Sequence, residues 1–509
     1  MIDLNQRRSG VLLHPTSLPG PHGVGDLGPA ARHYVDWLVS AGQSLWQWLP
    51  STPIGPGNSP YMSVSAFAGS PLMVALEPLV AAGWLAAPVL PEGGFDDRRV
   101  DVAQVPAWRL AQLRCAAAGF FAQATPAQRD AFAQWRLANA HWLDDYGLFM
   151  ALETAHGGQP WWQWADALCR HKPKALQAAR AEHAGEIAFW EFVQWCFDEQ
   201  LAALQAYANE RGVHLLGDLP IFIAHHSADC WARPDLYEID KDFQPKVVAG
   251  VPPDAMGPLG QRWGNPLYRW KRMAAEGHAW WCQRMRRALT QASAVRIDHF
   301  RGFAGYYEIP ASSPTAEVGT WRKGPGRKLF EDMAQALGEL PIIAEDLGFI
   351  TPDVTELRDY CGFPGMKIVQ FAFGSDATQE FLPHNMPPAS VAYTGTHDND
   401  TVQGWWLAAT ERERAYAGAY LACGTHDVHW AMIRATSQSV AHTVVFPMQD
   451  VLGLGSEHRM NTPGTMGGAN WAWRFEWSMV GSEPARVLGL ITAASGRGPF
   501  ELLRLPAQA

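Results

Sequence analysis

Eight short apolar runs recur along the chain, and each has the length and residue types of a buried β-strand. Most are continuously hydrophobic, as expected when a parallel strand is covered on both faces. Helix-like segments follow most of them. The predicted strands are Gly10–Pro15, Ser44–Pro50, His214–Phe222, Ser293–Phe300, Pro341–Gly348, Met366–Phe373, Ser390–Asp398 and His442–Asp450. Eight strands with helices between them predict an α/β fold, the closed (β/α)8 or TIM barrel.

Several predicted helices carry recognisable end signals. Thr125-Pro126-Ala127-Gln128 forms a capping box, and its helix is expected to run to about His156. Thr351-Pro352 is typical of an N-cap followed by a proline at the first helical position. Two further helices are expected at Ala30–Ala41, before Gly42, and at Glu186–Arg211, before Gly212.

Two intervals between the predicted strands are too long for simple crossovers. Residues 51–213 begin with a Gly/Pro-rich loop and then become Ala-rich, which predicts a largely helical insertion subdomain. Residues 223–292 form a second insertion, whose loop at residues 250–265 is predicted to act as a lid; a plain connection is the alternative. The chain, residues 1–509, is interpreted as one catalytic barrel with helical insertions around its C-terminal mouth.

Three acidic residues, Asp298, Glu345 and Asp398, each end a strand-like run. A carboxylate at the tip of a buried run must face a cleft or find a partner. Because parallel barrel strands end at one mouth, the three side chains are expected to converge there. Taken singly, each could be a helix cap or an ion-pair partner, and Arg296 could simply neutralise Asp298. Together they supply the carboxylates that glycosidic-bond chemistry requires.

Composition and charge restrict the possible partners. An apolar content of 48% and a charged content of 18% are typical of a globular protein in water. The formal net charge of −10 argues against nucleic acid or an anionic membrane as a partner. No run is long and apolar enough to span a bilayer, and the N-terminal residues lack the apolar stretch of a signal peptide. The seven scattered cysteines are typical of reduced thiols, so a cytoplasmic location is predicted.

Neither a cofactor nor a metal is predicted. No cluster of His, Cys or Asp has metal-ligand spacing, and no Gly-rich phosphate loop follows a strand. The 24 tryptophans either pack in the core or line a groove that stacks on sugars, and composition leaves both readings open. No obligate protein partner is evident.

Longer motifs extend the pattern beyond the three carboxylates. They are Gly10-Val11-Leu12-Leu13-His14-Pro15-Thr16-Ser17-Leu18-Pro19, Asn58-Ser59-Pro60-Tyr61, Ser65-Ala66-Phe67-Ala68-Gly69, Gly217-Asp218-Leu219-Pro220-Ile221, Gly250-Val251-Pro252-Pro253-Asp254 and Trp263-Gly264-Asn265-Pro266-Leu267-Tyr268. With these motifs in this order, nearly the whole chain closely resembles the amylomaltase, or 4-alpha-glucanotransferase (disproportionating enzyme), family, glycoside hydrolase family 77.

The resemblance implies a role for each carboxylate. Asp298 would be the nucleophile that forms a glycosyl–enzyme ester. Glu345 would be the general acid for the leaving oxygen and then the base for the incoming hydroxyl. Asp398 would hold sugar hydroxyls and stabilise the transition state. The local chemistry agrees for Arg296, which lies two residues from Asp298 on a predicted strand and can hold it ionised.

The resemblance also implies substrate-binding residues. Tyr61 would stack on the glucose at the donor end, and Asp218 would support the site, bind a hydroxyl or pair with Arg296. The remaining expected contacts are made by Gln261 and Trp263 to acceptor sugars, by His397 to the sugar held by Asp398, and by the segment around Asn461, which would close the other side of the cleft.

The expected activity is therefore the transfer of α-1,4-glucan segments between malto-oligosaccharides, with retention of configuration. An α-amylase-like hydrolase shares the same carboxylates and is the nearest alternative, since only acceptor binding and water exclusion separate the two. A non-catalytic glucan-binding protein is the alternative of another class.

Overall fold

Eight parallel strands close into a barrel in the computed structural model, which describes residues 2–253 and 257–503. They are β1 Arg8–Leu12, β2 Leu45–Gln47, β3 His214–Leu219, β4 Ala294–Ile297, β5 Ile342–Ala344, β6 Gly365–Ile368, β7 Ser390–Tyr393 and β8 Thr443–Pro447. Each strand pairs in parallel with the next along the chain, and β8 pairs with β1. The predicted (β/α)8 barrel is therefore confirmed.

Every predicted apolar run overlaps a barrel strand, but the strands are shorter than the runs. The run ending at Asp398 is the clearest case, because β7 stops at Tyr393. Thr394, Gly395 and His397 are still buried beyond this strand end, so burial continues after the ladder of hydrogen bonds has ended. At the other end, β1 begins at the polar Arg8, which lies opposite Thr443 of β8.

The helices follow their predicted end signals closely. Thr125 and Gln128 form the expected capping box, and the helix it starts runs from Pro126 to Ala155. Gly212, at φ +73°, follows the helix that ends at Glu210. The α-helices of the described ranges are Pro29–Ser40, Glu77–Ala81, Val105–Gln123, Pro126–Ala155, Asp166–Cys169, Pro173–Glu182, Ala184–Glu210, Ala228–Ala232, Trp270–Ala275, Ala279–Gln291, Arg327–Leu337, Pro352–Cys361, Val402–Ala408, Glu411–Leu421, Val428–Gln438, Met448–Val451 and Ser482–Ala494. Across these ranges, no helix is both long and apolar enough to cross a bilayer.

A second, four-stranded antiparallel sheet was not predicted. Its strands, in spatial order, are Gln261–Pro266, Val247–Val251, Gly305–Pro310 and Thr320–Lys323. The segment 250–265, predicted as one loop, therefore includes parts of two paired strands, and only residues 252–260 connect them. Residues 254–256 of this predicted lid lie outside the described residues. The pairing was missed because glycine, proline and asparagine interrupt the apolar pattern of these strands.

Candidate active site

The catalytic candidates Asp298 and Glu345 follow two adjacent strands directly. Asp298 comes after Ile297, the last residue of β4, and Glu345 comes after Ala344, the last residue of β5. Ile297 and Ala344 are register partners, and the Glu345 N–H donates to the Ile297 carbonyl at 3.1 Å. The two carboxyl groups therefore start from neighbouring points on the C-terminal edge of the barrel.

Asp398 reaches the mouth by a different route. It was predicted at a strand end, but it lies five residues beyond the end of β7, in a turn. Its Oδ1 accepts a hydrogen bond from Asn461 Nδ2 at 2.6 Å, and its carbonyl accepts one from Arg459 Nη2 at 2.9 Å. Asn461 therefore orients Asp398 through a direct bond to the carboxylate.

One buried arginine joins two carboxylates. Arg296 Nη1 lies 2.8 Å from both oxygens of Asp218, and Nη2 donates to Asp298 Oδ1 at 2.9 Å. Asp218 and Arg296 are register partners on β3 and β4, so the sheet itself sets this pairing. A buried charge is tolerated only when it is paired, which explains why Arg296 is held on two sides.

Tyr61 closes the same network from the long insertion. Its hydroxyl donates to Asp218 Oδ2 at 2.7 Å, and its ring stacks on His397 with centroids 5.2 Å apart and an interplanar angle of 9°. Trp471 packs against both rings, at 5.7 Å from Tyr61 and 5.9 Å from His397. Burial lowers the pKa of His397, so its imidazole is neutral near pH 7.

The environment of Glu345 favours its protonated form. Removal from bulk water is the largest effect and raises its pKa to about 8. The positive charge of Arg296 opposes this rise, and so do two backbone N–H donors: His299 binds Oε2 at 2.7 Å and Leu347 binds Oε1 at 3.0 Å. Desolvation outweighs these contacts, so the net effect of the site is to favour the protonated form of Glu345.

Asp298 responds less to the same environment. Desolvation raises its pKa to about 6, and the hydrogen-bonded charge of Arg296 limits the rise against the negative charges of Asp218 and Asp398. Its side chain still exposes 28% of its surface, so it remains accessible from the cleft. Burial therefore favours the protonated form of Glu345 more strongly than that of Asp298, a difference typical of an acid paired with a nucleophilic carboxylate.

The second antiparallel sheet supplies another wall. Trp263 Nε1 donates a hydrogen bond to Gln261 Oε1 at 3.0 Å. The two residues predicted to contact acceptor sugars are therefore bonded to each other. The Trp263 ring meets the His299 ring edge-on at 4.9 Å, and His299 directly follows Asp298. The predicted acceptor residues therefore lie beside the two catalytic candidates, Asp298 and Glu345.

Three residues of the site had no assigned role in the sequence. His299, at φ +51°, holds Glu345 through its backbone N–H, and its place in the Arg-Ile-Asp-His-Phe motif was the available signal. Arg459 belonged to the segment 459–464 that was expected to close the cleft, but no role of its own was assigned to it. Trp471, at φ +63°, is one of 24 tryptophans, and nothing in its sequence context marked it as a site residue.

A closed parallel barrel with three carboxylates and a shared arginine at its C-terminal mouth defines the class of protein: a barrel enzyme acting on glycosidic bonds. Comparison with known proteins narrows that class. The family model for 4-alpha-glucanotransferase matches residues 13–479. The chain is 50% identical over 476 residues to the 4-alpha-glucanotransferase of Thermus thermophilus. The aligned residues make up 92% of this chain and 94% of that relative.

Two further comparisons agree. The 4-alpha-glucanotransferase of Synechocystis is 44% identical over 499 residues, covering 97% of this chain and 99% of the relative. The amylomaltase of Streptococcus agalactiae, solved in complex with acarbose, superposes with a TM-score of 0.93 at 34% identity and covers 97% of this chain and all of that one. The chain belongs to the 4-alpha-glucanotransferase, or amylomaltase, family and is an enzyme of that retaining family.

Proposed function

We propose that this enzyme transfers α-1,4-glucan segments between malto-oligosaccharides through a covalent ester on Asp298. The observation that carries the proposal is the placement of Asp298 and Glu345 at the ends of adjacent, register-paired strands, with Arg296 bonded to Asp298 and burial raising the pKa of Glu345. Retaining chemistry uses two carboxyl groups about 5–5.5 Å apart, one as nucleophile and one as acid. Neighbouring strands about 4.8 Å apart support that spacing.

Each step then has a named group. Ionised Asp298 attacks the anomeric carbon while Glu345 passes its proton to the departing glycosidic oxygen, so the old bond breaks as the ester forms. Glu345, now ionised, takes the proton of an acceptor 4-hydroxyl, which attacks the ester and frees Asp298. Asp398, held by Asn461, binds hydroxyls of the distorted sugar. The broken bond supplies the energy for the new one, so the reaction requires no cofactor.

The surrounding side chains divide the cleft between donor and acceptor. Tyr61 and His397 form a stacked pair that offers flat and polar contacts to the donor glucose. Gln261 and Trp263 face the acceptor side. Arg296 keeps Asp298 ionised while Asp218 anchors that arginine.

We also propose roles for the two insertions. Residues 51–213 provide one wall of the cleft through Tyr61, and residues 223–292 provide another through Gln261 and Trp263. The segment 250–265 acts as the lid that favours a sugar over water as acceptor. A cytoplasmic location fits the seven cysteines, all of which are free thiols. We also propose that the enzyme acts without binding nucleic acid or a membrane and without an obligate protein partner.

Incubation of the pure enzyme with maltotriose tests the reaction type. Transfer should yield glucose and a ladder of longer maltodextrins, with nearly constant reducing ends because each transfer conserves the number of glycosidic bonds. The Asp298→Asn variant serves as the inactive control. A steady rise in reducing ends without products longer than maltotriose would identify a hydrolase instead.

A further inference from the structure

A histidine and two carboxylates converge at a place that shares no residue with the catalytic site. His22 and Asp26 lie in the loop between β1 and the helix Pro29–Ser40, and Glu77 begins the helix Glu77–Ala81. One ligand atom from each lies within 4.8 Å of the other two. In residues 2–253 and 257–503 no other three His, Cys, Asp or Glu side chains come together in this way. The wide separation of Glu77 from His22 along the chain hid the group from sequence analysis.

Two atoms of this group are buried without a hydrogen bond. His22 is 8% exposed, and neither its Nδ1 nor Glu77 Oε2 has a hydrogen-bond partner. His22 Nδ1 and Glu77 Oε1 are 3.6 Å apart, which is too long for a hydrogen bond. Buried polar atoms almost always have partners, so a ligand between these side chains would satisfy both.

Asp26 is already held in a fixed orientation. Its Oδ1 accepts from the Gly28 N–H at 3.1 Å, and its Oδ2 accepts from Arg109 Nη2 at 3.1 Å. A Cβ at position 28 would lie 2.8 Å from the Ala75 Cβ and 3.0 Å from Asp26 Oδ1, so glycine permits this close approach. The loop is therefore built around the carboxylate.

The charge of the group indicates the kind of ligand. Asp26 and Glu77 carry two negative charges, and the fully buried Arg109 compensates only one of them. Glu77 is only partly exposed, so water solvates its unpaired carboxylate incompletely. The remaining negative charge and the free imidazole nitrogen together favour a cation that accepts both nitrogen and oxygen ligands.

We propose that His22, Asp26 and Glu77 bind a divalent transition-metal ion of the zinc or manganese type. An imidazole with two carboxylates suits these ions, whereas calcium and magnesium favour oxygen ligands alone. Metal–ligand bonds of about 2.0–2.2 Å place tetrahedral ligand atoms about 3.4 Å apart, so a small closure of the three side chains completes the site. A cleft of about 410 Å³, lined by these residues and by His33, gives the ion a path from solvent.

The ion would stabilise the structure and take no part in the transfer reaction. It would tie the loop after β1 to the helix Glu77–Ala81, two segments that are far apart in the sequence. Chelation should therefore lower the unfolding temperature and leave the rate of transfer at 25 °C unchanged.

Calorimetric titration of the chelator-stripped full-length enzyme with Zn²⁺ tests the site. The wild type should bind one tight equivalent and unfold at a higher temperature with the ion bound. His22→Gln and Glu77→Gln should weaken that binding at least tenfold. His426→Gln, which alters an exposed histidine beside Asp427, should leave it unchanged.

Glu77→Gln is the decisive variant, because Glu77 is partly exposed and its change leaves the Asp26–Arg109 pair intact. Its maltotriose activity at 25 °C reports correct folding. Absence of a tight equivalent in the wild type would overturn the proposal, as would equal Zn²⁺ affinity in the wild type and in Glu77→Gln. Tighter binding of Ca²⁺ than of Zn²⁺ would overturn the assignment of the ion class.

Discussion

Replacing Glu345 with glutamine separates its proposed role as an acid from its role in the structure. Its two oxygens accept N–H donors from His299 and Leu347. The amide oxygen of glutamine can accept one of these, whereas its NH2 group faces the other donor. The lost hydrogen bond costs about 0.5–1.5 kcal/mol, which a large barrel tolerates. The neutral amide also suits a site that already holds Glu345 protonated.

The expected catalytic loss depends on the leaving group. General acid catalysis contributes about 10²–10⁴-fold, or about 3–5.5 kcal/mol of the barrier, so turnover of maltotriose should fall by that factor. A maltosyl fluoride needs no proton for departure, so formation of the ester should stay close to the wild-type rate. Because the base for the second step is also missing, the ester should accumulate on Asp298.

The pH profile of maltotriose turnover provides the assay. In the wild type, maltotriose activity should rise as Asp298 ionises at about pH 6 and fall as Glu345 loses its proton at about pH 8. In Glu345→Gln the residual maltotriose activity should still rise at about pH 6, but it should no longer fall at about pH 8. Glu356→Gln, a change at an exposed glutamate, should keep both limbs.

Stability gives an independent check of the same pKa. The folded pKa of about 8 lies above the unfolded value of about 4.3, so protonated Glu345 favours folding below the unfolded value. That contribution is lost as the pH rises through 8. Glu345→Gln should therefore unfold at a higher temperature than the wild type at pH 9 and show no such gain at pH 4.

Two results would refute the assignment of Glu345 as the acid and Asp298 as the nucleophile. One is an equal loss of activity with maltotriose and with the fluoride in Glu345→Gln, and the other is an ester on a residue other than Asp298.

Three further changes probe the rest of the molecule. Asp298→Asn should fold, because its amide oxygen still accepts from Arg296, yet show no turnover of maltotriose; residual turnover at the wild-type pH optimum would contradict it. Asn461→Ala removes a charge-assisted bond worth about 1.5–3 kcal/mol, so kcat/KM should fall about 10- to 150-fold, and a change below threefold would count against its role. Trp46→Ala removes a fully buried indole and should cost about 3–5 kcal/mol in denaturant unfolding, with activity retained in the folded fraction; a cost below 1 kcal/mol would contradict the packing argument.

Short-range signals predicted the barrel well because its strands and helices depend on local pattern. The continuous apolar run at His214–Phe222 indicates a buried strand, and the capping box at Thr125 indicates the start of a helix. Both signals lie within a few residues of the chain. The antiparallel pairing of Val247–Val251 with Gly305–Pro310 was missed, because it joins segments more than 50 residues apart along the chain, and their own patterns are weak. The end of β7 was also misjudged, since burial continues past the last ladder bond at Tyr393.

Local pattern and the order of the motifs were enough to predict the barrel, the family and three candidate carboxylates. Parallel strands end at one mouth, so Asp298 and Glu345 had to meet there. The folded structure sets their environments: burial raises the pKa of Glu345, and the hydrogen-bonded charge of Arg296 limits the same rise for Asp298, although Asp218 also binds that arginine. Desolvation and hydrogen bonding change over a few ångströms between residues distant in the chain, and a linear pattern carries no such distances.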